Sequence, residues 1–334
     1  MIQYSLVPQK CRIEMNKFCD ALIPLLCKYG LKESLTPFLN EVERIGNDEV
    51  FDCHSAKDFG LTKRIENSFF RNLLGEVDAN NILTKYTSLN SLMRICKDNE
   101  IGMTSLPGMN DSTECYYADS YLKRHGNESV FSEPDNIYWG LHTFITSFSG
   151  LNDDLTMWRL YGNDASGISL HFKFENNLPA DFILSPVSYA KEDGSHPKLD
   201  LVGEMQNIII DGRKLQFRNF YTWRHFFKPY HYNIENEIRL LYMKDKSDEH
   251  VAWITTGERI VTSLAKFTVK DKSTDTEGNI HPLYPLAFRG ITLGPQFVES
   301  GLNVETIKIM LREKFGWLDS DINIKASDID NYRN

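Results

Sequence analysis

The strongest constraint on the fold is a change of hydrophobic periodicity near residue 81. Before it, apolar residues recur at steps of three and four, as they do from Met15 to Tyr29, and this spacing predicts amphipathic helices. Further helices are expected from the Thr36-Pro37 cap and over Lys63–Leu74, which Gly75 would end. After it, strand patterns of period two stand between short helices. The sequence predicts a helical N-terminal region, 1–80, and an α+β domain, 81–334.

The order of elements in the second region indicates the fold class α+β. Strands are predicted at 81–87, 101–104, 142–149 and 167–174, and further strands between 236 and 293. A long helix is predicted over 201–227 and a final helix over 304–314. Ser88 is expected to cap a helix over 89–97, and Asp153 or Asp154 to cap a short helix that ends at Gly162. Within 167–174, alternation places Ser169 and His171 on one face. Because strands and helices do not alternate regularly, a doubly wound parallel sheet is not expected.

The composition is that of a globular protein with an acidic background. Hydrophobic residues make up 41% and charged residues 25%, which is close to average. The net charge of −9 argues against sequence-independent attraction to nucleic acid or anionic lipid, because that attraction depends on Lys and Arg. The longest apolar run, 21–27, contains Pro24 and is too short for a membrane span. Six cysteines without a C-x-x-C pair predict idle thiols, so we expect a soluble, cytoplasmic protein without membrane contact.

Several short motifs follow one another between residues 82 and 327. They include Ser147-Phe-Ser149, Met157-Trp-Arg-Leu-Tyr-Gly162, Gly167-Ile-Ser-Leu-His-Phe172 and Glu235-Asn-Glu-Ile-Arg239. In this order they resemble the bacterial family called domain of unknown function 2971 (DUF2971). The resemblance leaves the helical region outside it, and the family label implies no settled activity.

Three short stretches of the sequence also resemble, more distantly, motifs of the ADP-ribosyltransferase-like fold. The chain presents Lys85-Tyr86-Thr87, Ser147-x-Ser149 and Glu235-x-Glu237 in that order. The family carries His or Arg at the first position, Tyr or Ser-x-Ser at the second and Glu-x-Glu at the third. Lys85 departs from this pattern, because an ammonium cannot make the bidentate contacts of a guanidinium. The resemblance implies a small split sheet, mixed or antiparallel and flanked by helices, with NAD as co-substrate.

Glu237 is the candidate catalytic residue under this resemblance. Cleavage of the nicotinamide–ribose bond passes through an oxocarbenium-like state, which a nearby carboxylate stabilises. Glu235 shares its face of the predicted strand and is assigned to the substrate. The residues alone leave open a second interpretation, a solvent-facing pair of glutamates balanced by Arg239.

The candidate NAD-binding residues lie on two strands and one short helix. They are Lys85, Tyr86, Thr87, Ser147, Ser149, Trp158, Arg159 and Tyr161. Alternatives remain open for each group: a surface lysine with Tyr86 in the core, serines bonded to nearby backbone, and aromatics that pack the helix onto the sheet.

Asn110 and Asp111 are further substrate candidates, because the resemblance sets their loop beside the cleft. With Glu114 they would also suit a metal-dependent nuclease, although a compact carboxylate and histidine cluster is missing from the sequence. We prefer an N-cap role for Asp111 and predict no metal.

The stretch 205–232 combines five basic residues, one acidic residue and eight aromatic residues. Charge for the backbone and rings for the bases are typical of single-stranded nucleic acid binding. Arg213, Arg218 and Arg224 are therefore candidate contacts to a nucleic acid or protein acceptor through the segment 213–228. The alternative is an amphipathic helix whose rings line the core.

Two main functions follow from these patterns. One is an NAD-dependent ADP-ribosyltransferase or NAD glycohydrolase, for which the resemblance implies an intracellular toxin or phage-defence role. The other is a non-catalytic binding or assembly protein, with the helices of 1–75 as a surface for a partner or an oligomer.

Overall fold

The computed structural model describes residues 13–45, 47–53, 55–109, 116–127, 142–174, 178–244, 251–256, 260–269, 282–297, 300–315 and 322–330. The helices within these ranges are Met15–Lys28, Lys32–Arg44, Asn47–Val50, Lys63–Leu74, Leu89–Asp98, Tyr117–Arg124, Leu155–Tyr161, Pro197–Met205, Phe220–Trp223 and Ser300–Phe315. The strands are β1 (Phe51–Asp52), β2 (Asp58–Leu61), β3 (Ile82–Thr87), β4 (Glu100–Ser105), β5 (Thr143–Ser149), β6 (Ile168–Lys173), β7 (Phe182–Pro186), β8 (Ser188–Tyr189), β9 (Ile209–Ile210), β10 (Arg213–Leu215), β11 (Phe227–Lys228), β12 (Glu237–Met243), β13 (Val251–Thr256), β14 (Ile260–Thr268), β15 (Ala287–Leu293) and β16 (Asn323–Ala326).

The chain forms two compact units, each assembled from separate stretches. The helical unit comprises Met1–Glu76, Thr113–Glu133 and Val187–His231. The sheet unit comprises Val77–Ser112, Pro134–Pro186 and Tyr232–Asn334. The boundary at residue 76 lies close to the predicted one at 80. The stretch Val187–His231, which we had assigned to the α+β domain, groups with the N-terminal helices instead.

The helical unit has an aromatic core. Helix Lys63–Leu74 contributes Phe69 and Phe70, which stack on Phe217 at 5.7 Å and on Trp223 at 5.5 Å between ring centroids. Both partners come from the stretch Val187–His231, so ring packing explains why that stretch joins this unit. Two small sheets, β1-β2-β10-β9 and β8-β11, complete it.

The long helix predicted over 201–227 is absent. The helix ends at Met205, and β9 and β10 then form a hairpin whose two turn residues are Asp211 and Gly212. Both have positive φ, 50° and 76°, as the common two-residue hairpin turn requires. The hairpin of β9 and β10 therefore interrupts the stretch 201–227, for which the spacing of apolar residues predicts one helix.

The sheet unit is built on one mixed ten-stranded sheet, in which β13-β14-β4-β5-β3-β6-β15-β16 form the main order. Strand β12 lies along one edge of β5 and pairs with β7 on its other side. The opposite edge of β5 is shared: β4 pairs near Ile145, whereas β3 pairs at Ser149. The sheet therefore forks at β5. The α+β class is confirmed, although the sheet is larger than the small sheet we expected.

The two faces of this sheet differ in chemistry. One face carries the main core of the unit, with Leu83, Phe148, Leu170 and Leu240 among its buried side chains, and helices Leu89–Asp98 and Ser300–Phe315 contribute Leu92 and Leu311. Because neighbouring residues of a strand point to opposite faces, the alternate positions form a second face rich in polar groups. We call this second face the polar face.

Several local predictions are confirmed. Ser88 caps helix Leu89–Asp98 by accepting the N–H of Ser91, and Asp154 caps helix Leu155–Tyr161 by accepting the N–H of Met157. The helix predicted to begin at Pro37 begins earlier, at Lys32, because the buried stripe that includes Leu35 and Phe38 extends through the preceding turn.

The idle-thiol prediction holds for Cys19, Cys27 and Cys96 but is wrong for Cys53, which is disulfide-bonded.

Glu66 makes the stability of the helical unit depend on pH. Its buried carboxylate accepts the backbone N–H groups of Asn219 at 2.7 Å and Arg218 at 3.0 Å, yet burial raises its pKa from 4.5 to about 7. The folded state therefore binds a proton that the unfolded state has lost. The stability from this proton is fully present below pH 4.5 and is lost as the pH rises through 7.

We expect Glu66→Gln to remove this dependence. Relative to the variant, the wild type should lose up to about 3 kcal/mol in free energy of unfolding across this pH window. Urea unfolding at a series of pH values measures the difference in free energy of unfolding between the wild type and Glu66→Gln. The buried His171 and His196 are present in both proteins, so their titration cancels in this difference. Exposed Glu76→Gln is the matched control. A constant difference between wild type and Glu66→Gln would contradict the role of Glu66.

Candidate functional site

A row of polar residues crosses the polar face of the sheet. Glu237 on β12 lies opposite Ser149 on β5, Ser149 lies opposite Thr84 on β3, and Thr84 lies opposite His171 on β6. Opposite residues of paired strands share a face, and neighbouring strands are about 4.8 Å apart. The row from Glu237 to His171 therefore spans about 14 Å. Its members are all buried, so the row is a polar layer inside the sheet unit.

Glu237 forms a buried ion pair with Arg239. The guanidinium donates from Nε to one carboxylate oxygen at 2.7 Å and from Nη2 to the other at 3.1 Å. Glu237 is 4% exposed and Arg239 is 1% exposed. The prediction that Arg239 balances Glu237 on one face is confirmed, but the pair is enclosed rather than facing solvent. A bidentate contact of this kind fixes the orientation of the carboxylate.

Lys85 lies within electrostatic reach of Glu237 but outside the row. It alternates with Thr84 along β3, so its side chain leaves from the face that carries Leu83. Burial lowers the pKa of the Lys85 ammonium, and the Glu237 carboxylate acts in the opposite direction. Within the described residues the ammonium has no hydrogen bond or ion pair. Thr87 leaves from the same face as Lys85, which sets both apart from the serines of β5.

Ser149 and Tyr86 fix the loop that follows β5. The Ser149 hydroxyl donates to the carbonyl of Glu235 at 2.7 Å and accepts the N–H of Leu151 at 3.0 Å. The Tyr86 hydroxyl donates to the carbonyl of Leu151 at 3.1 Å and accepts the N–H of Asp154 at 3.0 Å. Burial raises the pKa of Tyr86 to about 12, so it remains a neutral donor. Ser149 therefore bonds nearby backbone and Tyr86 is buried in the core, which were the alternatives to cofactor binding for these two residues.

Ser147 is the more open serine of the pair. It is half-buried and lies opposite Arg239, two residues before Ser149 on the same face. No hydrogen bond of its hydroxyl occurs within the described part of the chain. Of the two serines, Ser147 is therefore the one whose hydroxyl can turn to a ligand.

Helix Leu155–Tyr161 packs on the polar face through Trp158. The indole is fully buried, meets Tyr86 edge-on at 4.8 Å between centroids, and donates from Nε1 to Asp153 at 2.7 Å. Because an enclosed ring offers no free face to nicotinamide, Trp158 packs the helix onto the sheet. This was the alternative to cofactor binding for the aromatic residues of this helix. Arg159 is exposed, and Tyr161, also exposed, donates from its hydroxyl to the buried carboxylate of Glu235. Glu235 ends the 3-10 helix Tyr230–Glu235 and lies before β12, so the prediction that it shares a strand face with Glu237 is wrong.

A pocket of about 130 Å³ opens at the His171 end of the row. Its lining residues come from the loop after β5 and from β3, β6, β15 and β16: Ile82, Asn152, His171, Arg289, Gly290, Ile291, Thr292, Asn323 and Lys325. Sequence reasoning missed all of these as site residues. A glycine within a strand pattern often marks a bulge, so Gly290 beside Arg289 was the available signal.

The basic candidates lie in the helical unit and are held by local partners. Arg224 is 2% exposed and contacts Asp119 at 2.6 Å, Arg218 contacts Asp58 at 3.2 Å, and Arg213 donates to the sulfur of Cys53 at 3.4 Å. The rings of Phe217, Phe220, Trp223, Phe226 and Phe227 are buried. Buried rings offer no face to a base, so we do not retain the hypothesis that these aromatics stack on nucleic acid.

One predicted group of substrate residues lies in a part of the chain that the structure does not describe. Asn110 and Asp111, with Glu114, lie outside the described residues. Among the described residues, no group of three or more His, Cys, Asp and Glu side chains suits a metal ion. Within the same ranges, no helix combines the length and the apolar character that a bilayer crossing needs.

Comparison with known families bears on residues 157–240. The model of a family described as Protein of unknown function (DUF2971) matches this range. The match supports the DUF2971 resemblance. It runs from the helix that carries Trp158, through His171 on β6, to the Glu237–Arg239 pair on β12. No curated protein and no solved structure matches the chain. The likeness to ADP-ribosyltransferases therefore stays a prediction.

Proposed function

We propose that the sheet unit binds NAD and cleaves its nicotinamide–ribose bond, passing ADP-ribose to water or to an acceptor. The observation that carries this proposal is the setting of Glu237. It lies on the polar face, opposite Ser149 and two residues from Glu235, with Lys85 in electrostatic reach. Burial lowers the pKa of Lys85 while the Glu237 carboxylate opposes that effect, and an ionisable group perturbed by burial and by a specific charge partner is typical of a functional site.

Energetics favour a functional interpretation of the Glu237–Arg239 pair. Burying two charges costs several kcal/mol per ion, and apolar replacement of such a pair is often neutral or stabilising. The pair is therefore not needed for stability alone. A carboxylate held by Arg239 is preorganised to face a developing positive charge, which is how enzymes stabilise an oxocarbenium-like state. In this proposal Ser147 donates to a ribose hydroxyl, whereas Ser149 and Tyr86 position the adjacent loop.

Release of nicotinamide from NAD tests the proposal. We expect Glu237→Gln to lower the rate by about 100-fold or more, because the neutral amide cannot stabilise the positive charge. Asp119→Asn is the matched control, since it disturbs another buried arginine–carboxylate pair, Arg224–Asp119, in the helical unit. The control should keep the wild-type rate at a temperature where all three proteins are folded.

Two outcomes would count against NAD cleavage at this site. One is no nicotinamide release by the wild type with protein and nucleic acid acceptors present. The other is equal release by the wild type and Glu237→Gln. A rate that falls equally in Glu237→Gln and Asp119→Asn would trace the loss to stability rather than chemistry.

A second candidate, a non-catalytic binding protein, is favoured by one specific observation. The groups at the candidate site are engaged within the sheet unit itself: Arg239 holds Glu237, Ser149 bonds backbone, and Trp158 is enclosed. If this second function is correct, neither the wild type nor Glu237→Gln releases nicotinamide from NAD. Wild-type and Glu237→Gln proteins are then also expected to behave identically in cells once their folded amounts are matched.

A further inference from the structure

The pocket beside His171 is shaped by a bulge in β15. Phe288 pairs with Phe172 and Gly290 pairs with His171, so Arg289 is an extra residue without a partner position on β6. A bulge of this kind redirects a side chain, and bulges are frequent beside functional sites. Arg289 lines the pocket. A side chain at position 290 would meet the carbonyl of Asn323 at 2.4 Å, so only glycine lets β15 and β16 approach beneath the pocket.

The floor of the pocket carries an unpartnered polar atom. His171 is 8% exposed, and its Nε2 lies 2.8 Å from the Thr292 hydroxyl. Its Nδ1 has no hydrogen-bond partner within the described residues, and neither has Oγ1 of Thr84, opposite it on β3. Buried polar groups are nearly always bonded, because an unpaired one costs about 1–3 kcal/mol. Of these two residues, His171 lines the pocket, so its open Nδ1 is an unmet hydrogen-bond requirement on a residue of the pocket wall.

The charges around the pocket select an anion. Arg289 and Lys325 both line it, and Asn152 and Asn323 add amide groups at its rim. Two acidic residues lie near these cations. Asp328 pairs with Lys325 at 2.6 Å and is well exposed, and the Asp153 carboxylate accepts the Ser327 hydroxyl and the backbone N–H of Asp328, both at 2.7 Å. The volume is several times what one water molecule needs. A guanidinium beside an ammonium, with amide and imidazole donors, matches the oxygens and charge of a phosphate better than the single charge of a carboxylate.

We propose that this pocket is a phosphate-binding site, in which Arg289 and Lys325 supply the charge and His171 donates from Nδ1. The loop that presents Asn152 is already fixed by Ser149 and Tyr86, so binding does not have to order it. The site stands independently of NAD cleavage. The phosphate would be either free or part of a nucleotide.

Titration calorimetry of the full chain with inorganic phosphate tests the site. We expect saturable binding that weakens about tenfold or more in Arg289→Gln and in Lys325→Gln, since each removes a charge-assisted hydrogen bond. Lys308→Gln is the matched control, because Lys308 also pairs with an acid three residues away and is similarly exposed. This control should bind as the wild type does. Thermal unfolding verifies that every variant is folded.

Three further measurements sharpen the test. Phosphate should shift the nitrogen resonance of His171 Nδ1; an unchanged resonance would overturn the assignment of the pocket. Acetate that competes equally with phosphate would overturn the choice of phosphate. Adenosine monophosphate that binds more tightly than phosphate identifies a nucleotide as the source, whereas equal affinity identifies free phosphate. Absent or variant-independent phosphate binding would sink the proposal while leaving the nicotinamide assay unaffected.

Discussion

Replacing Arg239 with methionine is expected to lower the free energy of unfolding of the sheet unit by about 3–5 kcal/mol. Arg239 is 1% exposed and contacts both carboxylate oxygens of Glu237, so its removal takes the bidentate ion pair from a buried carboxylate. Urea unfolding followed by circular dichroism measures the loss. Arg312→Met, on the exposed side of helix Ser300–Phe315, is the control and should change stability by no more than about 0.5 kcal/mol.

The double variant Glu237→Gln with Arg239→Met completes the comparison. Because it removes both charges, we expect it to be more stable than Arg239→Met alone, and the two substitutions to be strongly non-additive. An Arg239→Met protein as stable as the wild type would mean that Glu237 finds another compensating partner. It would also weaken the argument that Arg239 preorganises Glu237.

Trp158→Ala is expected to cost about 3–5 kcal/mol, the range for a buried aromatic cut down to alanine. The indole is fully buried against Tyr86, Met157 and Ala165, and its N–H bonds Asp153. The residue thus links helix Leu155–Tyr161 to the polar face of the sheet. Far-UV circular dichroism in urea measures the change without depending on tryptophan fluorescence.

The chain offers a matched control for this prediction. Trp253 on β13 is 66% exposed, so Trp253→Ala should stay within about 0.5 kcal/mol of the wild type. Equal stability of Trp158→Ala and the wild type would contradict the packing role. It would reopen the hypothesis that the Trp158 ring serves a ligand.

Local signals in the sequence predicted local structure well. Ser88 and Asp154 were identified as helix caps because a cap depends only on residues within one turn. The Asp211-Gly212 pair between apolar residues was an equally local hairpin signal. The prediction of a long helix rested on helical periodicity without this turn signal, and it is wrong.

Burial on the polar face could not be predicted from the strand patterns. Alternation indicated that Ser169 and His171 share a face, and a polar face is normally solvated. In the structure the members of that face are buried, and Trp158 from another part of the chain packs against Tyr86 on it. Which distant segment covers a face depends on the whole topology, so neither the enclosed Glu237–Arg239 pair nor the His171 pocket followed from local pattern.

The site residues show the same division. Strand period predicted that Ser147 and Ser149 share a face, and that Glu237 and Arg239 share a face. The register of β5 against β12, which places the two pairs on the same face, came from the structure. The pocket depends on a one-residue irregularity in β15 and on the neighbouring strand β16, which is distant in sequence. A prediction based on the two-residue period of a strand cannot locate an extra residue such as Arg289 in the bulge.

The bulge has a consequence for how this chain can vary. Phe288 and Gly290 occupy consecutive ladder positions opposite Phe172 and His171, so Arg289 is surplus to strand pairing. Deletion of Arg289 would leave all remaining residues of β15 opposite their present partners. The register on both sides of the bulge already matches that of a strand without a bulge. Gain or loss of the pocket's guanidinium is therefore one single-residue insertion or deletion away in evolution, with the pairing register of β15 unchanged on both sides.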